Sequence, residues 1–65
     1  METSTYYCIS ECPALENDKV ITENLRYTFY GAARLAALLT RRSNTTHHVH
    51  MKTDSGWLNV GRIEP

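Results

Sequence analysis

The first apolar segment of the chain predicts a β-strand. Aromatic and β-branched side chains crowd "TSTYYCIS" at 3–10, and such residues favour extended backbone. On a strand, Tyr7 and Ile9 would share one face, because successive side chains alternate between the two faces. Tyr6 and Cys8 would lie on the opposite face.

A second extended segment is expected after a turn. Asn17 and Asp18 tolerate turn geometry, and they separate two apolar stretches. The segment "KVITENLRY" at 19–27 has apolar residues at even spacing, namely Ile21, Leu25 and Tyr27. This spacing predicts the second arm of a hairpin, although Glu23 and Asn24 disfavour a strand. An early start of the following helix is the alternative.

From Thr28 onward the spacing is that of a helix. In "TFYGAARLAALLTRR" the apolar residues recur every three or four positions, at Phe29, Ala32, Leu35, Ala36 and Leu39. Thr28 can cap the first turn, and "SN" at 43–44 can end the helix. Arg41 and Arg42 would meet the negative end of the helix dipole. The many alanines allow the helix to lie close to a sheet.

The segment after the helix alternates again and predicts a third strand. "THHVHMK" at 46–52 places every second residue on the same face. One face would carry His47, Val49 and Met51, and the other face would carry His48, His50 and Lys52. The first of these faces is expected to lie under the helix.

A turn and a fourth strand complete a second hairpin. "DSG" at 54–56 is a turn signal, and "WLNVGRI" at 57–63 resumes the spacing of two. We expect Leu58 and Val60 to join the third strand's apolar residues under the helix. The other large residues of this strand are expected to point away from the helix: Trp57, Asn59 and Ile63.

These elements predict a single small α+β domain over residues 1–65. The expected order is ββαββ, or βαββ if the second strand fails, with one alanine-rich helix on one face of an antiparallel sheet. A 65-residue domain buries only roughly 60% of the surface of its unfolded chain, so its stability is marginal. Because the other face would be bare, we expect a homodimer, formed through that face or an edge strand.

The charge balance argues against nonspecific binding to polyanions. Seven basic and seven acidic residues give no net charge, so no overall field draws the protein to nucleic acid or an anionic membrane. The longest apolar run, "YGAARLAALL" at 30–39, contains Arg34 and is too short to cross a bilayer. The sequence has no signal-peptide pattern, and we expect a cytoplasmic protein without membrane contact.

The two cysteines, Cys8 and Cys12, are expected to be reduced thiols. On one extended strand they would lie about 13 Å apart, which is too far for a disulfide bond. Disulfides are also rare in chains without an export signal.

The three clustered histidines allow three interpretations. Zinc binds tetrahedral sets of Cys and His, and Cys8, His48 and His50 would converge if the first and third strands were neighbours. The simpler interpretation is that His48 and His50 point outward into solvent. The third interpretation is a pH-responsive or partner-binding face, on which titration of the histidines near neutral pH would weaken an interface as the pH falls. We favour the second interpretation and expect no cofactor, with zinc as the alternative.

No catalytic pattern is present. The serines that neighbour acidic residues or histidines lack the strand-turn-helix setting of an activated nucleophile. The three glycines are isolated, so there is no phosphate-binding loop. One helix on one sheet should also leave little volume for a substrate pocket of a few hundred Å³. We therefore expect a protein that is not an enzyme.

Nucleic-acid binding is one alternative function. The basic residues that could form a patch are Arg34, Arg41, Arg42, Lys52 and Arg62, of which the first four are the predicted contact residues. Exposed aromatic residues could stack on bases beside them. Arg41 and Arg42 already have a simpler explanation as partners of the helix dipole.

Protein binding is the function that we favour. Several large residues find no place under the helix, and aromatic residues of this kind anchor interfaces. Together with the two outward histidines, the predicted contact residues are Tyr6, Tyr30, His48, His50, Trp57 and Ile63.

The layout of the chain is similar to that of many small accessory proteins of bacteriophages and other mobile elements. The resemblance lies in a tyrosine-rich first strand, an alanine-rich helix and a closing hairpin of the "GWLNVGRIEP" type. It implies a stoichiometric binder that modulates or inhibits a partner protein. It assigns no role to individual residues.

Overall fold

A computed structural model describes residues 5–65, in which one α-helix packs on a four-stranded antiparallel sheet. The bounds are Tyr7–Ser10 for β1, Leu25–Arg26 for β2, Phe29–Ser43 for α1, His47–Thr53 for β3 and Gly56–Ile63 for β4. The predicted α+β class, with a single helix on the sheet, is confirmed. The predicted first strand included Thr3 and Ser4, which lie outside the described residues.

The strands are arranged in the order β2-β1-β3-β4, so β1 lies inside the sheet. Ile9 of β1 is paired with Val49 of β3, and Cys8 is paired with His50. β3 and β4 form the predicted second hairpin. The helix therefore links β2 at one edge of the sheet to β3 in its interior.

The predicted strand over 19–27 forms only at Leu25–Arg26. The preceding residues form two short 3-10 turns, Asn17–Lys19 and Thr22–Asn24. Asn, Asp and Glu favour such turns over strands, and here this preference outweighs the even spacing of the apolar residues. The alternative of an early helix is wrong, since α1 begins at Phe29.

The shortness of β2 leaves part of the edge of β1 open. β2 pairs only with Tyr7 and Cys8 of β1. Beyond them, the side-chain amide of Asn24 donates to the carbonyl oxygen of Ile9 at 3.1 Å. A side chain thus takes the place of a strand bond, and the chain can move away from the sheet at this edge.

The ends of α1 are capped as predicted. The hydroxyl oxygen of Thr28 accepts a hydrogen bond from the Gly31 N–H at 2.9 Å. Asn44 follows the last turn with a φ of 55°, in the left-handed region that commonly ends helices. Arg41 and Arg42 lie in the last turn, where positive charge suits the helix dipole.

The core is built on the alanines of α1. Ala32 and Ala36 are fully buried and form the core together with Ile9 and Val49. Partly buried residues surround them, namely Tyr7, Leu35, Leu39 and Ile63. The alanine-lined contact between helix and sheet is therefore the one that the sequence predicts.

A bulge in β4 reverses which face of the sheet its later residues occupy, compared with the strict alternation that the sequence predicts. Asn59 is paired with His50, whereas Gly61 is paired with Val49, so β4 has one extra residue at this point. The alternation shifts by one position beyond the bulge. Ile63, which is predicted to point away from the helix, therefore packs against the core beneath it.

The predicted burial of Leu58 and Val60 is also wrong. Their side chains are 52% and 36% exposed. Leu58 is paired with Met51, which is paired with Tyr7, and the Tyr7 ring contacts Phe29 at the start of α1. Leu58 thus lies at the end of the sheet where the helix begins, and the helix does not cover it.

The second face of the sheet is crossed by the chain itself. We call residues 11–24, which join β1 to β2, the β1–β2 connection. The side chain of Asn59 donates to the carbonyl oxygen of Pro13 at 2.8 Å, and Trp57 Nε1 donates to Asn17 Oδ1 at 2.9 Å. The expectation of a bare second face is wrong, because a connection of this length can fold back over the sheet.

Candidate functional site

His50 lies between the sheet and the β1–β2 connection, where its side chain has no exposed surface. Its Nε2 atom lies 3.1 Å from the carbonyl oxygen of Cys12 and 2.9 Å from Ser10 Oγ. A carbonyl oxygen can only accept, which assigns the proton to Nε2. The prediction that His50 points into solvent is wrong, because the connection covers it.

The other ring nitrogen of His50 has no hydrogen-bond partner among the described residues, although Nδ1 is buried. Burial lowers the pKa of His50, the bond to Cys12 opposes this shift, and His48 adds to it. The ring is therefore neutral at pH 7. A second proton would have to bind Nδ1, which has no hydrogen-bond acceptor among the described residues.

The residues of the zinc alternative lie close together without forming a ligand set. Cys8 is fully buried, and burial raises the pKa of its thiol, while hydrogen bonds to the backbone of Ile21 and Ile9 act in the opposite direction. The thiol is therefore protonated at neutral pH, whereas zinc binds thiolate. The ring centres of His48 and His50 lie 6.2 Å apart. Within residues 5–65, no three Cys, His, Asp or Glu side chains are placed to hold a metal ion.

The aromatic residues of the second face are half-buried and contact one another. The ring of Tyr6 lies edge-on to Trp57 and to Tyr27, with ring centres 6.1 and 6.3 Å apart. The Lys52 ammonium lies 5.9 Å from the centre of the Trp57 ring. Part of the surface of Tyr6 and Trp57 is therefore buried within the protein, and only the rest is accessible to a partner.

The most exposed aromatic side chains lie at the end of the molecule where α1 begins. We call these aromatic residues and the two exposed aliphatic residues of β4 the apolar end surface; its members are Tyr27, Phe29, Tyr30, Leu58 and Val60. Tyr27 and Tyr30 are 77% and 71% exposed, and Phe29 is 47% exposed. Exposure of this degree leaves most of the two tyrosine rings free for contact.

Two sets of contacts join the helix side of this surface to its strand side. The ring of Phe29 lies edge-on to Tyr7, with ring centres 5.9 Å apart. Phe29 also lies against the backbone of β4, because a Cβ atom on Gly61 would be 3.8 Å from its ring. On the sheet, Tyr7, Met51 and Leu58 are cross-strand neighbours. The surface therefore runs from α1 across the sheet to β4.

A groove with three arginines runs along α1 beside this surface. We call it the basic groove, and Arg26, Arg34 and Arg41 line it together with leucine and alanine side chains. Its volume is about 470 Å³. Arg34 and Arg41 are seven residues apart and so share one side of the helix. The Arg34 guanidinium lies 5.7 Å from the centre of the Tyr30 ring, which links the groove to the apolar end surface.

The structure divides the basic residues of the nucleic-acid alternative. Arg34 and Arg41 line the same groove, and Arg42 is exposed at the neighbouring position of the helix. Lys52 lies on the other side of the sheet, over Trp57. Arg26 joins the groove although sequence reasoning did not select it, because the contact depends on how β2 approaches the helix.

A cavity of about 550 Å³ opens between the β1–β2 connection and the C-terminal half of α1. We call it the loop cavity, and its apolar walls are Ala14, Leu15, Ile21 and Leu39. Glu11 and His47 line it as well. The prediction that the domain leaves little volume for a pocket is wrong, because the β1–β2 connection stands away from the edge of β1 and encloses the loop cavity.

His47 is held in one orientation at the wall of the loop cavity. Its Nδ1 atom lies 2.8 Å from the carbonyl oxygen of Thr45 and 3.2 Å from the hydroxyl oxygen of Thr40. Because the carbonyl can only accept, Nδ1 carries the proton of the neutral ring, and Nε2 carries the lone pair. Nε2 lies 3.8 Å from Glu11 Oε2. The predicted position of His47 on the helix face of β3 is confirmed.

Comparison of the chain with family models, with curated protein sequences and with solved structures finds no match. Among residues 5–65, no helix combines the length and the apolar character that crossing a membrane requires. The function must therefore be inferred from the geometry of the described residues.

Of the six predicted contact residues, the structure leaves Tyr30 widely exposed and buries His50. Ile63 is engaged in the core, and Tyr6, His48 and Trp57 are half-buried. The members of the apolar end surface that sequence reasoning missed are Tyr27, Phe29, Leu58 and Val60. The regular spacing of apolar residues, every second position in a strand and every third or fourth in a helix, suggested that these side chains face the interior. No local sequence feature signals where the helix stops covering the sheet.

Proposed function

We propose that this protein is a protein-binding module whose contact region is the apolar end surface. The observation that carries this proposal is the exposure of three aromatic side chains around the start of α1 and of two aliphatic side chains on β4, in a domain with a small core. Contiguous exposed apolar groups are uncommon on small monomeric domains and mark binding surfaces. Aromatic residues are also the commonest anchors of protein interfaces.

The arginines beside the apolar end surface favour a partner that carries negative charge. Arg34 and Arg41 line the basic groove next to Tyr30. A partner that presents apolar side chains flanked by carboxylates would fill both regions at once. Opposite charge at the rim of an interface speeds association and selects among partners, while the apolar contacts supply most of the affinity.

A second copy of the chain is one candidate partner. Among the described residues, β4 has no strand on its outer side, so its backbone groups are open to pairing. Leu58 and Val60 lie on this strand and belong to the apolar end surface. Pairing of β4 with β4 of a second copy would extend the sheet and cover these side chains, which would form the homodimer expected from the sequence.

The mode of action that we propose is stoichiometric modulation or inhibition of the partner. A domain of this size that binds through one face can cover a surface of another protein. This is also what the resemblance to small accessory proteins of bacteriophages implies.

Nucleic acid is a second candidate partner, and the basic groove is the observation that favours it. Arg26, Arg34 and Arg41 line one groove, and the Tyr30 ring lies beside it. Lys/Arg contacts to phosphates make binding strongly dependent on salt, at roughly one unit of log–log slope per contact. The double variant Arg34→Gln, Arg41→Gln should then reduce the slope of log affinity against log salt concentration by about two units. Arg62 pairs with Glu64, and Arg62→Gln should leave this slope unchanged.

The proposed surface is tested by comparing matched variants in capture of partners from cells that produce the protein. Tyr30→Ser combined with Leu58→Ser removes two exposed apolar anchors without touching the buried core. Ile21→Ser is the control, since Ile21 is 51% exposed but lies at the loop cavity. Light scattering of the purified variants measures self-association in parallel.

We expect the double variant to lose its captured protein or its self-association. Ile21→Ser should keep both. Loss of at least tenfold in affinity is expected, because removal of interface anchors costs about 2 kcal/mol or more. Retention of all partners and of the oligomeric state by the double variant would refute the proposal.

A further inference from the structure

The loop cavity lies at the other end of α1 from the apolar end surface and plays no part in the proposed protein contact. Its volume of about 550 Å³ is in the range of pockets that hold small organic molecules. Such pockets are mostly apolar and carry a few fixed polar groups that orient the ligand. The loop cavity has both components.

The polar component is a pair of hydrogen-bond acceptors. His47 is buried to more than nine-tenths, and Nε2 presents its lone pair towards Glu11. The two atoms, Nε2 and Oε2 of Glu11, are 3.8 Å apart, which is longer than a hydrogen bond. A donor with more than one N–H could bond to both atoms at once, because a nitrogen beside the line that joins them can lie about 2.8 Å from each.

The charges that line the cavity favour a cation. The carboxylates of Glu11 and Glu16 line it together with one ammonium group, that of Lys19. A cationic group inside the cavity would therefore be attracted, and an anionic group would be repelled.

The apolar component would hold the rest of the ligand. Leu15 is almost fully buried, and Leu39 packs on the edge of the core, so both walls are fixed. Ile21 is 51% exposed and closes the cavity from the side of the β1–β2 connection. An alkyl or aromatic body against these residues would leave water, at roughly 25 cal/mol per Å² of apolar surface buried.

We propose that the loop cavity binds an apolar primary amine. The protonated amine lies between Glu11 Oε2 and His47 Nε2 and donates to both, while the apolar body lies against Leu15, Ile21 and Leu39. The site uses none of the residues of the apolar end surface, so this proposal stands or falls independently of protein binding.

The test is a titration of the full chain with 4-phenylbutylamine, followed by the methyl signals of Ile21 and Leu39 in NMR spectra. The uncharged 4-phenylbutanol and the anionic 4-phenylbutyrate are the matched probes. Saturable shifts of these two methyl groups are expected with the amine. The alcohol should bind about tenfold more weakly, the ratio that corresponds to 1.4 kcal/mol, and the butyrate should bind more weakly still.

Three variants locate the contacts. Glu11→Gln removes the carboxylate from an exposed side chain and should reduce the preference for the amine over the alcohol to less than about threefold. Ile21→Ser should weaken both ligands, whereas Asp54→Asn in the β3–β4 turn should change neither. Amide spectra of each variant verify that the fold is retained.

The absence of saturable shifts at Ile21 and Leu39 would overturn the proposal. So would equal binding of the amine, the alcohol and the butyrate, or an unchanged preference for the amine in Glu11→Gln. Leu58→Ser lies outside the loop cavity and should bind the amine with unchanged affinity. Amine binding by this variant therefore tests the loop cavity separately from the apolar end surface.

Discussion

His50 and Cys12 are joined across the second face of the sheet by a hydrogen bond of 3.1 Å from Nε2 to the carbonyl oxygen. This bond ties the β1–β2 connection to the interior strand β3. Asn59 and Trp57 on β4 make two further bonds to the same connection. The face that the sequence suggested would need a partner is thus crossed by the chain's own backbone.

We predict that the protein loses stability as the pH falls below about 6.5. Burial lowers the pKa of His50 in the folded state, whereas the unfolded chain has the ordinary value near 6.5. Between the two pKa values the unfolded chain binds a proton that the folded chain does not, so protonation favours unfolding. The free energy of unfolding in urea should be nearly constant from about pH 8 to pH 7 and should fall between about pH 6.5 and pH 5.

His50→Gln is the matched control for this pH dependence. A glutamine amide N–H can still donate to Cys12, but it does not titrate. The free energy of unfolding of His50→Gln should therefore vary less between pH 7 and pH 5, whatever its value at pH 7. Equal losses in the variant and the parent protein would show that His50 is not the source.

The bulge in β4 predicts an asymmetry between two apolar residues of that strand. Ile63 packs against the core, so Ile63→Ala should lower the free energy of unfolding by about 1–3 kcal/mol. Val60 is 36% exposed, and Val60→Ala should change it by less than about 0.5 kcal/mol. Strict alternation along the strand predicts the reverse order, and urea unfolding of the two variants distinguishes the two arrangements.

The contact between α1 and the sheet predicts a strong effect of side-chain size at Ala36. Ala36 is fully buried against the core, so Ala36→Leu should lower the free energy of unfolding by about 1–3 kcal/mol. Ala33 is only half-buried, and Ala33→Leu should be better tolerated. Thermal unfolding measures both. Similar stability of the two variants would mean that the helix does not rest on Ala36.

The helix could be predicted in detail because its signals are local. Thr28 caps the first turn and Asn44 ends the last one, and both features were recognisable from residue type and position. The buried positions Ala32 and Ala36 follow from the helical spacing of the apolar residues. Each of these inferences needs only residues within a few turns of one another.

The facing of β4 could not be predicted, because it depends on a bulge opposite β3. The extra residue lies between Asn59 and Gly61, and no side chain there marks it as such. Every residue beyond it changes face, which moved Ile63 into the core. The exposure of Leu58 depends likewise on where the helix lies above the sheet, which is a tertiary property.

The loop cavity was missed for a similar reason. The pattern of 19–27 suggests a strand, and a full strand there would have closed the edge of β1. Because only Leu25–Arg26 joins the sheet, the β1–β2 connection is free to cover His50 and to enclose a cavity beside Leu39. Local turn propensity at Asn17 and Asn24 decided this, and its consequence appears only in the folded chain.

The most direct test of protein binding places a photo-crosslinking side chain at single positions of the full chain in the cells that produce it. At Tyr30 or Leu58, the apolar end surface predicts a covalent adduct with one defined protein, or a covalent dimer of the chain itself. The same group at Ile21, which is also exposed, should give no such product. Adducts at Ile21 but none at Tyr30 or Leu58 would contradict the assignment of the contact region.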